Sequence, residues 1–169
     1  MSLTSACLLA LGMFLFTSVW PKVRNPRLFV GALEGYGFPR HWAGVLAPIL
    51  VTTEAAIAVA CLLRFKPALT AAAVLVLLGI YSGVVAFALM SGRKGIGCGC
   101  FAFGSDRTVS WTLLLRNGAA AVLALPPLCL STPAAGGSSL LTLSASVVFL
   151  FIVGLTDELG YVADLVHGK

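Results

Sequence analysis

Long apolar segments separated by short polar connections run along the whole chain. Each apolar segment is close to the ~20 residues that an α-helix needs to cross the hydrocarbon core of a bilayer. Five membrane-spanning helices are predicted, over residues 3–20, 42–63, 68–90, 109–130 and 139–156. Only two connections have appreciable length, residues 21–41 and residues 91–108. Functional residues are therefore expected in these two loops or between the helices.

The composition agrees with this pattern and excludes an ordinary soluble domain. Hydrophobic residues make up 59% of the chain and charged residues 10%, with a mean hydropathy of +1.02. Such values are typical of an all-α integral membrane protein. We expect residues 1–130 to form a four-helix transmembrane bundle that carries the 91–108 loop. Residues 131–169 would add a fifth transmembrane helix and a short interfacial tail.

The charges are distributed unequally between the two ends of the predicted bundle. Five crossings place loops 21–41 and 91–108 and the C-terminus on one side, here called face B. The N-terminus and Arg64 and Lys66 lie on the other side, face A. The basic residues of face B are Lys22, Arg24, Arg27, Arg40, Arg93, Lys94, Arg107 and Lys169. The positive-inside rule places face B in the cytoplasm, although basic residues also attract anionic lipid headgroups or stabilise thiolates. Nucleic acid is not an expected partner.

Loop 91–108 contains the closely spaced cysteines Cys98 and Cys100 in the stretch "GIGCGCFAFG". The surrounding glycines permit the backbone dihedrals that would bring two cysteines at i and i+2 together. So small a disulfide ring departs from relaxed geometry, and strained or exposed disulfides are the readily reduced ones. Basic residues in the same loop favour the nucleophilic thiolate. The pattern predicts a redox-active pair.

Two other functions remain open for the same cysteines. Two thiolates are suitable ligands for a soft metal ion such as Cu(I), so a metal-binding or metal-transport protein is the main alternative. A non-enzymatic assembly chaperone is the third hypothesis, and it would not need either thiol. The remaining explanation is that the two cysteines lie in this glycine-rich loop by chance and have no chemical role.

Three further cysteines, Cys7, Cys61 and Cys129, lie near the face A ends of their predicted helices. They would form a second thiol relay if they approached one another, although an intramembrane cysteine more often fills space as a small hydrophobic residue. The two groups of cysteines are separated by most of a ~30 Å hydrocarbon core. Exchange between the two groups would therefore need either a carrier such as a quinone or a large movement.

Charged residues inside the predicted spans are Glu54 and Arg116. A charge at membrane depth is energetically costly and usually marks a functional site or an ion pair. Helix geometry places Glu54 about 18 Å and Arg116 about 10 Å from face B. We therefore expect a salt bridge between these two side chains, which either ties the bundle together or directs a cation at a site below the cysteine loop. Asn117 is expected to form an interhelical hydrogen bond.

Aromatic residues concentrate near face B, where an interfacial belt of tryptophan and tyrosine is the usual explanation. They are Trp20, Tyr36, Trp42, Phe101, Phe103 and Trp111. The alternative is a flat pocket for an aromatic headgroup. No residue pattern demonstrates a cofactor, but a quinone would suit a membrane-embedded oxidant. Trp111, Phe101 and Asn117 are the candidate residues for binding it.

These motifs together resemble a known family. A lysine, Lys22, ends the first predicted helix, and an intramembrane glutamate, Glu54, lies in the second; "CGCFAFG" follows the third and "SWTLLLRN" opens the fourth. The chain is similar over about residues 3–130 to the methylamine-utilisation MauE family of DoxX-like membrane proteins. The most specific parts are Cys98-Gly-Cys100-Phe101 and Arg116-Asn117.

The resemblance implies a four-helix core and a role in maturing periplasmic proteins that need disulfides. The family is implicated in maturation of the small subunit of methylamine dehydrogenase, often alongside a thioredoxin-like partner. It implies that Cys98 and Cys100 are the exchanging thiols and that Glu54 and Arg116 form the core pair. The expected function is therefore a thiol:disulfide oxidoreductase or electron-transfer protein of the inner membrane. Because disulfides persist in oxidising compartments, face B is expected in the periplasm, against the count of basic residues.

Overall fold

Long helices occupy the first four predicted spans. The computed structural model describes residues 3–92 and 111–129, and within them the chain forms α-helices and no strand. The helices are α1 (Leu3–Arg24), α2 (Pro26–Gly35), α3 (Arg40–Leu62), α4 (Pro67–Met90) and α5 (Trp111–Cys129). The fifth predicted span, the C-terminal tail and the loop that carries Cys98 and Cys100 lie outside the described residues.

Four of these helices, α1, α3, α4 and α5, are long and apolar enough to cross a membrane. The expectation of an all-α membrane protein is therefore confirmed. The predicted ends agree with the observed ones to within a few residues. The largest difference is at α1, which continues from the predicted end at Trp20 through Pro21 to Arg24.

The connection predicted for residues 21–41 contains a helix of its own. Helix α2 is 10 residues long and begins with Pro26, a residue that suits the first turn of a helix because it has no N–H to leave unpaired. Phe29 and Leu33 recur at helical spacing and pack on Ala43 and Ala47 of α3. Helix α2 is too short to span a bilayer, so it instead covers the first half of α3.

Helix α1 is the central element of the bundle. It packs most extensively against α3 and also contacts α5, while α4 packs against α5. Of its apolar window 61% is buried, against 22% to 33% in the other three spans. The shared core includes Leu8, Leu11, Leu15, Cys61, Val74 and Leu78. The outward faces of the bundle are also apolar, as expected where a helix meets lipid instead of water.

The close approach of α1 to α3 depends on Gly12. A Cβ atom at Gly12 would lie 2.9 Å from two side-chain atoms of Leu62 and 3.1 Å from the Cβ of Cys61. We expect Gly12→Val to destabilise the protein by about 1–3 kcal/mol, because the added methyl groups overpack this contact. Gly79→Val is the matched control, since nothing lies within 4 Å of a Cβ there. Thermal unfolding of both variants in the same detergent measures the difference. Equal stability of the two would contradict this packing.

Candidate functional site

A buried ion pair joins α1 to α3. The Lys22 ammonium donates a hydrogen bond to Oε2 of Glu54, and the two side chains are 0% and 1% exposed. The Tyr81 hydroxyl of α4 donates to the same carboxylate oxygen at 3.0 Å, and Lys22 Nζ lies 3.4 Å from the Tyr81 hydroxyl. The three side chains thus form one hydrogen-bonded group contributed by three helices.

Aromatic rings enclose the lysine ammonium. Lys22 Nζ lies 5.2 Å from the centre of the Phe29 ring and 4.8 Å from the centre of the Tyr81 ring. Both distances are in the range of cation–π attraction. The charge removed from water is therefore compensated by a carboxylate, a hydroxyl and two aromatic faces. Such compensation is needed because desolvating two charges costs several kcal/mol per ion.

The ion pair lies well inside the predicted membrane. Glu54 is fourteen positions after Arg40 and eight before Leu62 in α3, which is about 21 Å and about 12 Å along the helix axis. Lys22 belongs to the last turn of α1, and α2 begins shortly after it. Helix α2 places Phe29 over the ammonium. The lysine is enclosed because the chain folds back over it.

The predicted salt bridge between Glu54 and Arg116 is wrong. Among the described residues the ion-pair partner of Glu54 is Lys22, because the tight packing of α1 on α3 brings that ammonium to the carboxylate. Arg116 is buried in α5, with its guanidinium carbon 5.6 Å from the centre of the Phe14 ring. Glu54 and Arg116 nevertheless line the same cavity.

Asn117 makes the interhelical hydrogen bond that its sequence position predicted. Its side-chain Nδ2 donates to Oγ of Ser82 at 3.3 Å, which joins α5 to α4. The asparagine is buried, and it lines the cavity beside Arg116. The polar side chains of α5 therefore face the interior of the bundle.

The cavity has a volume of about 190 Å³ and is lined by residues from all five described helices. Most of the wall is aliphatic or aromatic. Its aromatic side chains are Phe14, Phe29, Tyr36, Phe38 and Tyr81. Its charged and amide side chains are Glu54, Arg116 and Asn117. Lys22 hydrogen-bonds two of these lining residues, so the buried ion pair forms part of the polar wall.

The cavity reaches the outer surface of the bundle. Ile80 of α4 and Phe38, just before α3, line it and are 53% and 36% exposed. It also lies toward one end of the bundle, since Val85 is five positions, about 8 Å, before the end of α4 and Leu113 is in the first turn of α5. The segment that joins these two helix ends is the one whose sequence carries Cys98 and Cys100.

Of the other predicted site residues, Cys98, Cys100 and Phe101 lie outside the described residues. Trp111 is the first residue of α5 and is 64% exposed, on the outside of the bundle instead of in the cavity wall. Asn117 is thus the candidate cofactor residue that the structure places in the cavity.

The face A cysteines are free thiols in the described part of the chain. Cys7 and Cys61 are buried and Cys129 is exposed. Within residues 3–92 and 111–129 there is no group of three or more His, Cys, Asp or Glu side chains able to hold a metal ion. The relay of these three thiols stays a prediction.

Sequence reasoning missed Lys22, Tyr81 and Phe29 as parts of the site. The sequence pattern groups Lys22 with the basic residues of face B and places Phe29 in the connection between two predicted spans. The available signal was Tyr81, a hydroxyl-bearing ring in an otherwise apolar span. At membrane depth such a hydroxyl needs a hydrogen-bond partner, and Glu54 was the intramembrane acceptor already identified.

The fold and the cavity define an all-helical membrane protein with a charged, partly open site inside its bundle. The family model described as Methylamine utilisation protein MauE matches residues 1–130, so the chain belongs to this family. The resemblance inferred from the motifs is thereby confirmed.

Named relatives extend this match beyond the family model. The methylamine utilization protein MauE of Paracoccus denitrificans is 36% identical over 122 residues, covering 70% of this chain and 64% of that protein. The protein of the same name in Methylorubrum extorquens is 31% identical over 159 residues, which cover 92% of this chain and 82% of that protein. The Paracoccus versutus protein is 30% identical over 140 residues, covering 79% and 75%. No solved structure matches the chain.

Proposed function

We propose that this protein is a thiol:disulfide oxidoreductase of the plasma membrane that serves methylamine utilisation. The observation that carries the proposal is the Cys98-Gly-Cys100 pair, which the sequence places between α4 and α5, at the end of the bundle that holds the cavity. The names of its relatives support the physiological setting. Its partner is an extracytoplasmic protein with exchangeable cysteines, thioredoxin-like or itself in need of a disulfide.

The exchange begins with the disulfide form of Cys98 and Cys100. A partner thiolate attacks one sulfur, which forms a mixed disulfide and releases the other cysteine as a thiolate. A second partner thiolate then attacks the mixed disulfide and leaves the partner oxidised and the Cys98–Cys100 pair reduced. Two electrons and two protons pass from the partner to the pair. The small Cys-Gly-Cys ring supports this direction, because strain favours reduction of a disulfide.

The reduced pair must be oxidised again before another cycle. It would give its two electrons and two protons to a lipid-soluble quinone, the class of two-electron acceptor that dissolves in the bilayer. The supporting feature is the cavity near the same end of the bundle. Phe101, in the loop that precedes α5, remains a candidate for contacting such an acceptor.

The cysteine loop is proposed to face the periplasm or, in a cell without an outer membrane, the outside. Stable disulfide chemistry belongs to such oxidising compartments. The basic residues of face B argue for the opposite orientation, but Lys22 is buried against Glu54 and is not one of the free basic residues at that surface. This removes one residue from the count that opposed the proposed topology.

The experiment that tests this function is thiol trapping on intact membranes. A maleimide that crosses the bilayer and one that does not are applied to wild type and to Cys98→Ser/Cys100→Ser, each in a Cys129→Ser background that removes the exposed third thiol. We expect a mixture of oxidised and reduced pairs that shifts with added oxidant and is labelled from outside. Two thiols that remain reduced and are labelled only from the cytoplasm would overturn the proposal. Their protection by Cu(I) would assign the pair to soft-metal binding.

A further inference from the structure

We propose that the cavity binds the ring of a lipid-soluble quinone, with the ring between aromatic side chains and a carbonyl oxygen at the polar wall of Glu54, Tyr81, Arg116 and Asn117. The role of this ligand as electron acceptor rests on the proposed function. Its binding does not, because the four polar residues proposed to hold the carbonyl oxygen belong to the described helices and none of them is a cysteine.

Access to the cavity favours a ligand that arrives through the bilayer. The lining residues Ile80 and Phe38 are also exposed on the outside of the bundle. Ile80 lies in the middle of α4, which is one of the four helices able to cross the membrane. An opening at that level is bordered by lipid, and a water-soluble substrate would have to cross apolar material to enter it. The ligand is therefore hydrophobic.

Size and shape favour a single ring. The cavity volume is about 190 Å³, whereas an apolar cavity of roughly 150 Å³ is large enough to bind benzene. One six-membered ring with small substituents therefore fits in this space. Phe14 and Phe29 are among the aromatic side chains of the wall. Such side chains favour flat ligands through offset or edge-to-face ring contacts.

The polar wall selects a hydrogen-bond acceptor on that ring. The Arg116 guanidinium and the Asn117 amide carry N–H donors, and both line the cavity. The Lys22 ammonium is already matched by the Glu54 carboxylate, so the wall, with Arg116, has only one more positive than negative group and does not suit a highly charged anion. A neutral carbonyl oxygen accepts hydrogen bonds from such groups without bringing a further charge into the bundle.

The same wall contains groups able to hold a proton close to the ligand. The Tyr81 hydroxyl is hydrogen-bonded to both Glu54 and Lys22, and the Tyr81 and Glu54 side chains line the cavity. Conversion of two ring carbonyls to hydroxyls takes up two electrons and two protons. Tyr81 is placed to pass a proton between the ion pair and the ligand. The geometry thus assigns the buried Lys22–Glu54–Tyr81 group to one end of the binding site.

The test is equilibrium binding of decylubiquinone to the purified full-length protein in detergent, measured by titration calorimetry. Val84→Trp places a large side chain in the cavity wall and is expected to abolish binding. Val76→Trp, on the exposed side of the same helix, is the matched control and should bind as wild type does. Tyr81→Phe keeps the ring and removes the hydroxyl, and should weaken binding by about tenfold. This variant decides the question if Val84→Trp fails to fold.

The outcomes separate this inference from the proposed function. Cys98→Ser/Cys100→Ser should bind decylubiquinone as wild type does, because neither thiol is among the groups proposed to contact the ring. Unchanged binding in both Val84→Trp and Tyr81→Phe would overturn the inference and leave thiol exchange standing. Binding of oleate in place of decylubiquinone would also overturn it and assign the cavity to a lipid. If the protein binds decylubiquinone but its two thiols remain reduced and are labelled only from the cytoplasm, the proposed function is overturned and the binding site is not.

Discussion

Breaking the buried ion pair from either side should destabilise the protein by about 3–5 kcal/mol, and removing both charges together should recover most of that loss. The variants are Lys22→Met, Glu54→Gln and the double replacement. Each single variant leaves one charge in an interior where the side chains of Lys22 and Glu54 are 0% and 1% exposed. The double variant leaves none, and methionine and glutamine approximate the original side-chain lengths.

Thermal and denaturant unfolding in one detergent would measure this double-mutant cycle. The control is the ion pair between Glu34 and Arg40, whose charged atoms are 3.8 Å apart and whose side chains are 37% and 91% exposed. Replacing Glu34 by glutamine should produce no measurable change, because exposed ion pairs contribute little to stability. Additive effects of Lys22→Met and Glu54→Gln would contradict a direct coupling between the two charges.

The recovery expected of the double variant also bears on function. A buried ion pair is often no more stabilising than apolar side chains of the same volume. Stability alone therefore does not explain why a lysine, a glutamate and a tyrosine meet inside an apolar bundle. Glu54 and Tyr81 lie in the wall of a cavity that opens toward lipid, and this gives the group a chemical role. A double variant that is stable but binds no quinone would separate the two roles.

The membrane-spanning helices could be predicted from sequence because the signal is one-dimensional. Apolar runs of the required length define a span without any knowledge of its neighbours, and four such spans were located to within a few residues. Helix α2 was missed because it is too short to span the bilayer and lies in a connection with several basic residues. Its signal was weaker: Pro26 at the first turn and the helical spacing of Phe29 and Leu33.

The candidate site was only half predictable. Glu54 and Arg116 were found because a charge within an apolar run is conspicuous, and the structure places both in one cavity. Their partners depend on which helices pack together, and that information is absent from hydropathy. Lys22 resembled a lysine that reaches the interface from a helix end. The central position of α1 and the return of α2 over its end place the ammonium in the interior instead.

Replacing either Cys98 or Cys100 alone by serine should abolish catalytic oxidation of a partner dithiol, leaving the rate seen with membranes that lack the protein. A single remaining thiol cannot form the internal disulfide that starts each cycle, but its thiolate can attack the disulfide of an oxidised partner, which forms a mixed disulfide and releases the partner's second cysteine as a thiolate. Of the two single variants, the one that retains the exchanging cysteine should form this mixed disulfide when it is mixed with the oxidised partner. That variant identifies the exchanging sulfur.

The measurement is the oxidation rate of a reduced thioredoxin-like protein, together with a non-reducing gel of each single variant mixed with the oxidised form of that protein, which shows the mixed disulfide. Cys129→Ser is the matched control, since this thiol is free and exposed at the opposite end of α5 from the cysteine loop, and it should retain the full rate. Wild-type rates in both Cys98→Ser and Cys100→Ser would show that exchange does not pass through the pair. The serine variants should also unfold at the wild-type temperature, unlike Lys22→Met, because the thiols carry the chemistry and the ion pair couples the helices.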